Sequence, residues 1–389
     1  MTIRLLTFST LFPNSARPNH GIFVANRLRH LVAGGAVAST VLAPVPWVPV
    51  AIGRHGGLAG VAAKGGHHGL AVHHPRYLVI PKIGMSAAPF LLYLAARRAL
   101  RRLIAGGFEF DLIDAHYLYP DGVAAVWLGA HFGKPVTLTA RGSDVTQLPD
   151  YAIPRALIRG ALARADHLIG VSAALCAGMV ALGADPGKVT TLRNGVDTRV
   201  FYPVDRGAAR AKLGLTGRTL LSVGHLIERK RNHLTVAALR LLPDFDFLLV
   251  GEGPERGRLE ALAGELGLGG RVRFLGARPH GELREIYTAA DALVLASSRE
   301  GWANVLLEAM ACGTAVVASN IAGNSEVVRS AAAGRIVGEN TAEGFAAAIA
   351  DLFAGEPDRE GTRGYAQGFS WDATTLGQLE IFRGILGRA

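Results

Sequence analysis

Cysteine is almost missing from this chain. Cys176 and Cys312 are the only two among 389 residues, far apart in sequence and each in apolar surroundings. A disulfide framework is excluded, and buried free thiols in a reducing cytoplasm are expected. Lysine is scarce too. Lys64, Lys82, Lys134, Lys188, Lys212 and Lys230 are the only ones, so arginine carries nearly all the positive charge. With Ala and Gly abundant, that preference fits a GC-rich genome and is not in itself a nucleic-acid signature. Acidic residues are outnumbered 31 to 41, for a net charge of +10. The excess favours acidic partners: nucleotide diphosphates, phospholipid-linked substrates or anionic membrane. No RNA- or DNA-binding motif accompanies it, so nucleic acid is not an expected partner. A long unbroken apolar helix is also lacking. The longest uncharged stretch, residues 31–53, is interrupted by Gly34, Gly35, Pro44, Pro46 and Pro49. So many breakers argue against a membrane span, because each would free backbone groups in lipid. The N-terminus, M-T-I-R-L-L-T-F, has no small-residue cleavage site and reads as a first strand.

What is there is alternation. Half of the residues are hydrophobic, and the length fits two or three domains. Apolar strand candidates at residues 4–8, 39–43, 112–115, 136–140 and 167–171 are separated by helical patterns. A second series follows at 190–193, 219–223, 246–250, 272–275, 292–296 and 315–318. Such alternation means βαβ units and parallel sheets. The strands are too many for one ordinary open sheet, so two packed α/β domains are expected. The boundary falls near residues 194–206, which hold an Asn-Gly turn and a proline. The expected division is 1–200, 201–364 and a terminal helix in 365–389. Residues 53–77, rich in Gly and His, read as a long mobile surface loop. His67, His68, His73 and His74 lie there without a carboxylate or cysteine companion, so no metal site is expected. Residues 91–104 form an amphipathic helix candidate. Tyr93, Ala96, Leu100, Leu103 and Ile104 fall on one side, and Arg97, Arg98, Arg101 and Arg102 on the other. It suits either an anionic membrane surface or the solvated outside of a domain.

The stretch R-E-G-W-A-N-V-L-L-E-A-M, residues 299–310, carries the most chemistry. It follows a strand candidate and enters a helical pattern, and such junctions are where α/β sheets bind ligands. The helix start near Asn304 offers backbone N–H groups to an anion such as a diphosphate. Glu300 and Glu308 flank it, and an ionised carboxylate, being acceptor-only, suits sugar hydroxyls. Gly224, after the strand at 219–223, allows a tight turn. It precedes a cationic cluster of His225, Arg229, Lys230 and Arg231, which would stabilise charge on a departing nucleoside diphosphate. Gly251, Gly253 and Gly257 resemble a dinucleotide fingerprint, with Arg271 or Arg273 near the place of a 2′-phosphate partner. A tight turn before a helix with Pro254 at its start is the favoured reading, since the first strand, where such a fingerprint is usually sought, ends in S-T-L-F-P-N with no glycine cluster. His116 ends the strand D-L-I-D-A-H and is placed for a ligand or for packing. Gly21, between the first strand and a helix, permits close backbone approach or a simple turn. R-G-S-D, Arg141 to Asp144, follows a strand in the same manner and adds a polar cluster.

These pieces, in this order, resemble family 4 of the retaining GT-B glycosyltransferases from end to end. The matching segments are F-P-N-S-A-R-P-N-H-G-I-F-V, T-A-R-G-S-D, L-R-N-G-V-D-T-R-V-F-Y-P and A-D-A-L-V-L-A-S-S-R-E-G-W-A-N-V-L-L-E-A-M-A-C-G-T-A-V-V-A-S. The chain looks most like bacterial members that build exopolysaccharide or teichuronic-acid-type polymers. The resemblance implies two Rossmann-like domains with parallel sheets facing a central cleft, the C-terminal helix crossing back to the first. It implies Glu308 on the donor ribose, Glu300 beside the transferred sugar, and Gly301, Trp302, Ala303, Asn304 and Val305 around sugar and phosphate. Lys230 pairs with the diphosphate, with Gly224, His225, Arg229 and Gly253 in the same donor set. Gly21 lies against the phosphates, His116 contacts the donor sugar, and the stretch around Arg278 passes the nucleobase. His20, Arg141 and Asp144 fall on the acceptor side. The implied reaction is transfer of a sugar from a nucleotide diphosphate sugar to a hydroxyl, with retention and without metal or other cofactor. The acceptor is a lipid-linked or growing cell-surface glycan, at the inner face of the membrane. A non-catalytic scaffold on the same fold and a sugar-nucleotide epimerase are the alternatives. Two positions depart from the pattern: His225 stands where the family commonly has Arg, and Arg141 where it commonly has His.

Overall fold

The structure, a computed structural model, describes residues 2–48, 53–80 and 84–387. Pro49, part of the uncharged stretch, and Lys82 lie outside the described residues. The chain forms two compact units: Met1–Asn194 with Asp372–Ala389, and Gly195–Trp371.

Among the described residues the first unit holds ten strands: β1 (Ile3–Phe8), β2 (Val37–Leu42), β3 (Val45–Trp47), β4 (Lys64–His67), β5 (Leu70–His73), β6 (Arg76–Leu78), β7 (Leu112–His116), β8 (Val136–Ala140), β9 (His167–Gly170) and β10 (Val189–Thr191). Eight make one sheet in the order β10-β9-β8-β7-β1-β2-β5-β4, parallel except for β4; β3 and β6 pair separately. Every residue of β7 and β8 is buried, as expected of parallel strands covered on both faces. Alternation along β1 divides the core. Ile3 and Leu5 join Val24, Leu28 and Leu31 of the helix Ile22–Ala33 together with Phe382. Leu6 and Phe8 join Leu92, Ala96 and Leu100 of the helix Gly84–Ala105. Phe382 belongs to the C-terminal helix Trp371–Leu386, which therefore completes one face of this unit.

Residues 53–77 are not the expected loop. They form a 3-10 turn, Gly53–Gly60, then β4, β5 and the start of β6. Leu70 and Val72 of β5 are buried, and β5 pairs parallel with β2. His68 and Gly69, with φ of 47° and 82°, make the two-residue turn between antiparallel β4 and β5. Positive φ at both positions is what a tight hairpin turn requires. The amphipathic helix also differs from expectation. Its buried stripe is Pro89, Leu92, Ala96 and Leu100, whereas Ile104, placed on the apolar side, is 40% exposed. It stands in the last turn, where Arg101, Arg102 and Ala105 are exposed as well.

The second unit carries β11 (Arg218–Val223), β12 (Phe245–Val250), β13 (Val272–Gly276), β14 (Ala292–Leu295), β15 (Ala315–Ala318) and β16 (Gly334–Ile336). They form an all-parallel sheet in the order β13-β12-β11-β14-β15-β16. This is the doubly wound Rossmann order, in which the connections reverse direction between β11 and β14. Ligands of such sheets bind outside the carboxyl ends of the strands at that reversal. In the first unit the reversal lies between β1 and β7, which are paired neighbours. The two Rossmann-like α/β domains expected from the sequence are thus what the chain forms.

Candidate functional site

In the second unit, the segments after β11 and β14 meet. Gly224 leaves β11 with φ 145° and Gly251 leaves β12 with φ 139°. A Cβ on Gly251 would lie 1.9 Å from the Gly224 carbonyl oxygen, and one on Gly253 would lie 2.2 Å from that of Leu226. The glycine loop after β12 therefore packs against the loop after β11, which accounts for Gly251 and Gly253 without a dinucleotide, whereas a Cβ on Gly257 would meet nothing within 4 Å. His225 is exposed, and its Nδ1 faces the Glu252 carbonyl.

The turn Glu228–Lys230 brings two cations onto one carboxylate. Lys230 Nζ lies 2.7 Å from Glu300 Oε1, and Arg229 Nη1 lies 3.0 Å from the same oxygen. The side chains of Lys230 and Glu300 are 14% and 11% exposed. Burial pushes the Glu300 carboxyl up, but Lys230 and Arg229 outweigh it and hold the group below the ordinary carboxylate range. Arg231, expected in the same cluster, is directed elsewhere. It adopts φ 45° and donates from Nε to the Ala296 carbonyl at 3.0 Å and from Nη2 to that of Ser297 at 3.3 Å. The Ser298 amide returns a bond to the Arg229 carbonyl at 2.9 Å. The carboxyl-end loops of the two strands are thus stitched by backbone and side chain alike.

Beyond Glu300, Gly301, Trp302 and Ala303 are buried, and the helix Asn304–Ala311 begins with no side-chain cap. A Cβ on Gly323 would lie 2.3 Å from the Glu300 carbonyl oxygen. That glycine, not foreseen from the sequence, lets the segment 320–325 support the loop. Leu306, Leu307, Ala309 and Met310 anchor the helix in the core, while Val305 is half-buried. Glu308 accepts a hydrogen bond from the Tyr287 hydroxyl at Oε2, 2.8 Å, and faces His280 Nε2 with Oε1, 3.3 Å. Arg278 is largely exposed, its guanidinium 3.9 Å from Glu282.

In the first unit, His116 at the end of β7 is fully engaged. Arg141 Nη2 lies 2.8 Å from its Nδ1, and Asp114 Oδ2 lies 3.3 Å from its Nε2. A guanidinium has only donors, so Nδ1 is the acceptor and the ring proton sits on Nε2, toward Asp114. Burial, aided by Arg141 and Arg27, pulls the imidazole down to about 4 against the opposing pull of Asp114. Asp114 also accepts from Thr137 Oγ1 at 2.9 Å, and its carboxyl is held low by His116, Thr137 and Arg27 in spite of burial. Arg27, buried on the helix Ile22–Ala33, donates to Gln378 Oε1 at 2.8 Å and to the Leu192 carbonyl at 3.0 Å. Arg141 donates to Asn194 Oδ1 at 3.2 Å and is pulled down to about 9 by burial.

Asp144 is occupied differently from what its place in R-G-S-D suggests. Its oxygens accept the amides of Leu118, Arg141 and Gly142, so it shapes the turn after β8. Gly21, with φ 64°, has the Leu11 carbonyl carbon and oxygen 2.2 Å from where a Cβ would be. Its lack of a side chain is required by that close approach. His20 Nε2 lies 3.2 Å from the Thr10 carbonyl, and burial, then Arg17, lowers its pKa. Asp121 accepts bonds from the amide and hydroxyl of Thr10, and burial pushes it up to about 7. Among the described residues no three His, Cys, Asp or Glu side chains are grouped to hold a metal ion. In the histidine-rich hairpin, His74 Nδ1 bonds the Ala43 carbonyl and His67 packs edge-on against Phe12.

Sequence reasoning passed over Asp114, Arg27, Gln378, Asp121, Tyr287, His280 and Gly323. Only Asp114 had a usable signal: it stands two residues before His116, on the same side of a strand.

Residues 39–200 match the model of Glycosyltransferase Family 4, and residues 205–369 that of Glycosyl transferases group 1. The D-inositol 3-phosphate glycosyltransferase of Actinosynnema mirum is 34% identical over 305 residues, covering 70% of this chain and 72% of that protein. The protein of the same name in Mycolicibacterium gilvum is 32% identical over 287 residues, covering 68% and 64%. For the Mycobacterium bovis counterpart, 36% identical, the match covers 53% of this chain and 45% of the relative. The chain thus spans between about half and three-quarters of the length of these relatives. Among solved structures, a sucrose-phosphate synthase from Thermosynechococcus elongatus has a TM-score of 0.81 at 22% identity, covering 99% of both chains. Anabaena HepE in complex with UDP has a TM-score of 0.73 at 19% identity, covering 97% of this chain and 99% of that one. At those identities the structural likeness speaks to fold. The two family models and the Actinosynnema relative speak to descent, and the chain belongs to the GT-B glycosyltransferases, with a family 4 N-terminal half and a group 1 C-terminal half.

Proposed function

We propose that this protein transfers a sugar, with retention, from a nucleotide diphosphate sugar to a hydroxyl acceptor. The carrying observation is the grouping of Lys230 and Arg229 on Glu300 at the point where the second sheet reverses. Two fixed cations there suit the charge that builds on a nucleoside diphosphate as its sugar departs. Arg229 supplies a second cation beside Lys230. Glu300 lies beside the transferred sugar, Glu308 holds the donor ribose, and the backbone of residues 301–305 cradles sugar and phosphate. Gly224 and Gly253 shape the donor loops, Arg278 flanks the nucleobase, and His116 and Gly21 serve the donor from the first unit. With those cations present the reaction calls on no metal or other cofactor. UDP in the HepE structure supports a nucleoside diphosphate as the ligand class.

The acceptor we favour is a lipid-linked or growing cell-surface glycan, used at the cytoplasmic face of a membrane. Among the described residues no helix is long and apolar enough to cross a membrane. The helix Gly84–Ala105 instead exposes Met85 and Phe90 near its start and Arg98, Arg101 and Arg102 near its end. That arrangement suits an anionic bilayer surface, where each basic residue contributes about 1 kcal/mol. The names of the inositol-phosphate relatives favour a second reading, a small phosphorylated polyol acceptor.

Mass spectrometry of products from a panel of nucleotide sugars, with and without glycan and inositol-phosphate acceptors, tests all of this. Transfer is expected to persist in EDTA, and Glu308→Ala should abolish it. Near-normal turnover by that variant refutes the site. Binding without turnover on the whole panel identifies a scaffold, and an epimerised donor identifies an epimerase.

A further inference from the structure

Glu308 does not present two equivalent oxygens. Tyr287, on the helix Leu283–Ala289, is completely buried, and its hydroxyl donates to Oε2 at 2.8 Å. Oε1 faces the half-buried His280 at 3.3 Å. Phe201 holds both partners: its ring packs edge-on against His280 at 5.0 Å and against Tyr287 at 5.9 Å. The backbone of Tyr287 is braced from behind. Thr314 Oγ1 donates to its carbonyl at 2.6 Å, and Arg359 Nη2 donates to that same Thr314 hydroxyl at 2.9 Å. Arg359 also reaches the Thr288 carbonyl at 2.9 Å. The phenol is therefore fixed at both ends of its residue, in a site from which water is excluded.

We infer that Tyr287 is a positioning residue for ribose recognition: its hydroxyl pins Oε2 of Glu308 and leaves Oε1, on the His280 side, to accept the donor's ribose hydroxyls. The inference rests on the proposed role of Glu308. A carboxylate bound on one oxygen cannot swing, so the other holds a single direction, and recognition in a buried site depends on such fixed geometry. A phenol in this position also makes a demand of its own. A buried hydroxyl left without an acceptor is costly, so whichever atom of residue 308 can accept is drawn to Tyr287.

That demand separates the inference from a merely structural role. In Glu308→Gln the side chain has only one acceptor oxygen. Tyr287 should capture it and turn the amide nitrogen, a donor, toward His280 and the ribose. E308Q should then lose ribose recognition as completely as E308A, despite its near-identical shape. In the double variant Y287F/E308Q the amide is free to flip, and recognition should partly return.

The experiment is calorimetric titration of the full chain with UDP, ADP and GDP, each beside its 2′,3′-dideoxy counterpart. The wild type is expected to bind one ribonucleotide at least tenfold more tightly than its dideoxy form. Y287F should lose most of that preference while keeping dideoxy affinity within about twofold. E308Q should show no preference, and Y287F/E308Q should regain some. If the wild type binds none of the nucleotides, or shows no preference, the reading of Glu308 fails and the inference falls with it. If the wild type discriminates but Y287F keeps the preference, E308Q keeps part of it, or the double variant gains none, the assignment of Tyr287 is wrong while that of Glu308 stands. The E308Q arm decides the matter even if Y287F does not fold.

Discussion

Replacing Lys230 by Met tests whether the cation pair on Glu300 is an integral part of the second unit. Methionine keeps most of the lysine stem and removes the charge. Glu300 is 11% exposed, so its carboxylate would be left with Arg229 alone. Removing one partner of a buried ion pair costs about 3–5 kcal/mol, because the remaining charge stays desolvated. Arg229, whose side chain is 33% exposed, recovers part of this, although a solvent-screened pair is worth only about 0–1 kcal/mol. The expected net loss is therefore about 2–5 kcal/mol. The loss can appear as local opening, so hydrogen exchange at the Ser298 and Arg231 amides should accompany urea unfolding. Both amides are bonded across or within these loops, to Arg229 and Glu228 carbonyls. The pH dependence has a definite sign. The folded Glu300 carboxyl titrates below its ordinary value, so its contribution is fully present above the unfolded carboxylate range. It is lost as pH falls through the folded value. In K230M the depression weakens, so the acid limb of stability moves to higher pH. K230M/E300Q should regain part of the loss, since no buried charge is then stranded. A K230M protein within about 0.5 kcal/mol of wild type, with an unchanged acid limb and unchanged exchange, refutes the coupling.

Gly251→Ala forces a Cβ to within 1.9 Å of the Gly224 oxygen at φ 139°. The backbone term alone is about 1–3 kcal/mol, and a marked fall in melting temperature should show it. Asp121→Asn should flatten the pH profile of stability. The folded carboxyl is raised to about 7, so the native state holds the extra proton. Wild-type stability should therefore fall between the ordinary carboxylate range and neutrality, while the variant should not follow. Burial pushes the Cys312 thiol up to about 12. Native-state alkylation followed by mass spectrometry should modify the half-buried Cys176 first and leave Cys312 unmodified until unfolding.

Many strand positions were legible because parallel strands covered on both faces are nearly continuous apolar runs, and β8 and β15 fall where their runs predict. The histidine-rich hairpin was not legible. Gly65, Gly66 and Gly69 resemble a loop by composition, and only the alternation Leu70–Val72, together with the two-residue turn His68–Gly69, marks a pair of strands. β16, three residues beginning with glycine, offers too little pattern. At the site, Lys230, Glu300 and Glu308 were visible as charges beside strand ends. Their partners were not. Lys230 and Glu300 are 70 positions apart, and local spacing carries no information about such a pair. Tyr287 looks from the sequence like one more apolar residue of a core helix, because its hydroxyl shows its purpose only once Glu308 stands opposite.

The geometry of the first unit limits the chemistry that the proposed reaction can use. His116 has both ring nitrogens engaged, a proton fixed on Nε2, and a pKa near 4. It is neutral near pH 7, and accepting a proton at Nδ1 would first require displacing a guanidinium. Glu300, held ionised by two cations, is equally poor as a proton acceptor. Neither group is tuned toward neutrality in the way a general base is. What the second unit does hold is fixed positive charge on Lys230 and Arg229, where the proposal puts the diphosphate. Catalysis on the proposed reading is therefore electrostatic, with the departing phosphate proposed as the base for the acceptor's proton. On that reading, departure and attack share one face of the sugar, with retention. Arg141 is part of the same logic. A guanidinium can only donate, and it fixes the tautomer of His116 without any pH dependence near neutrality.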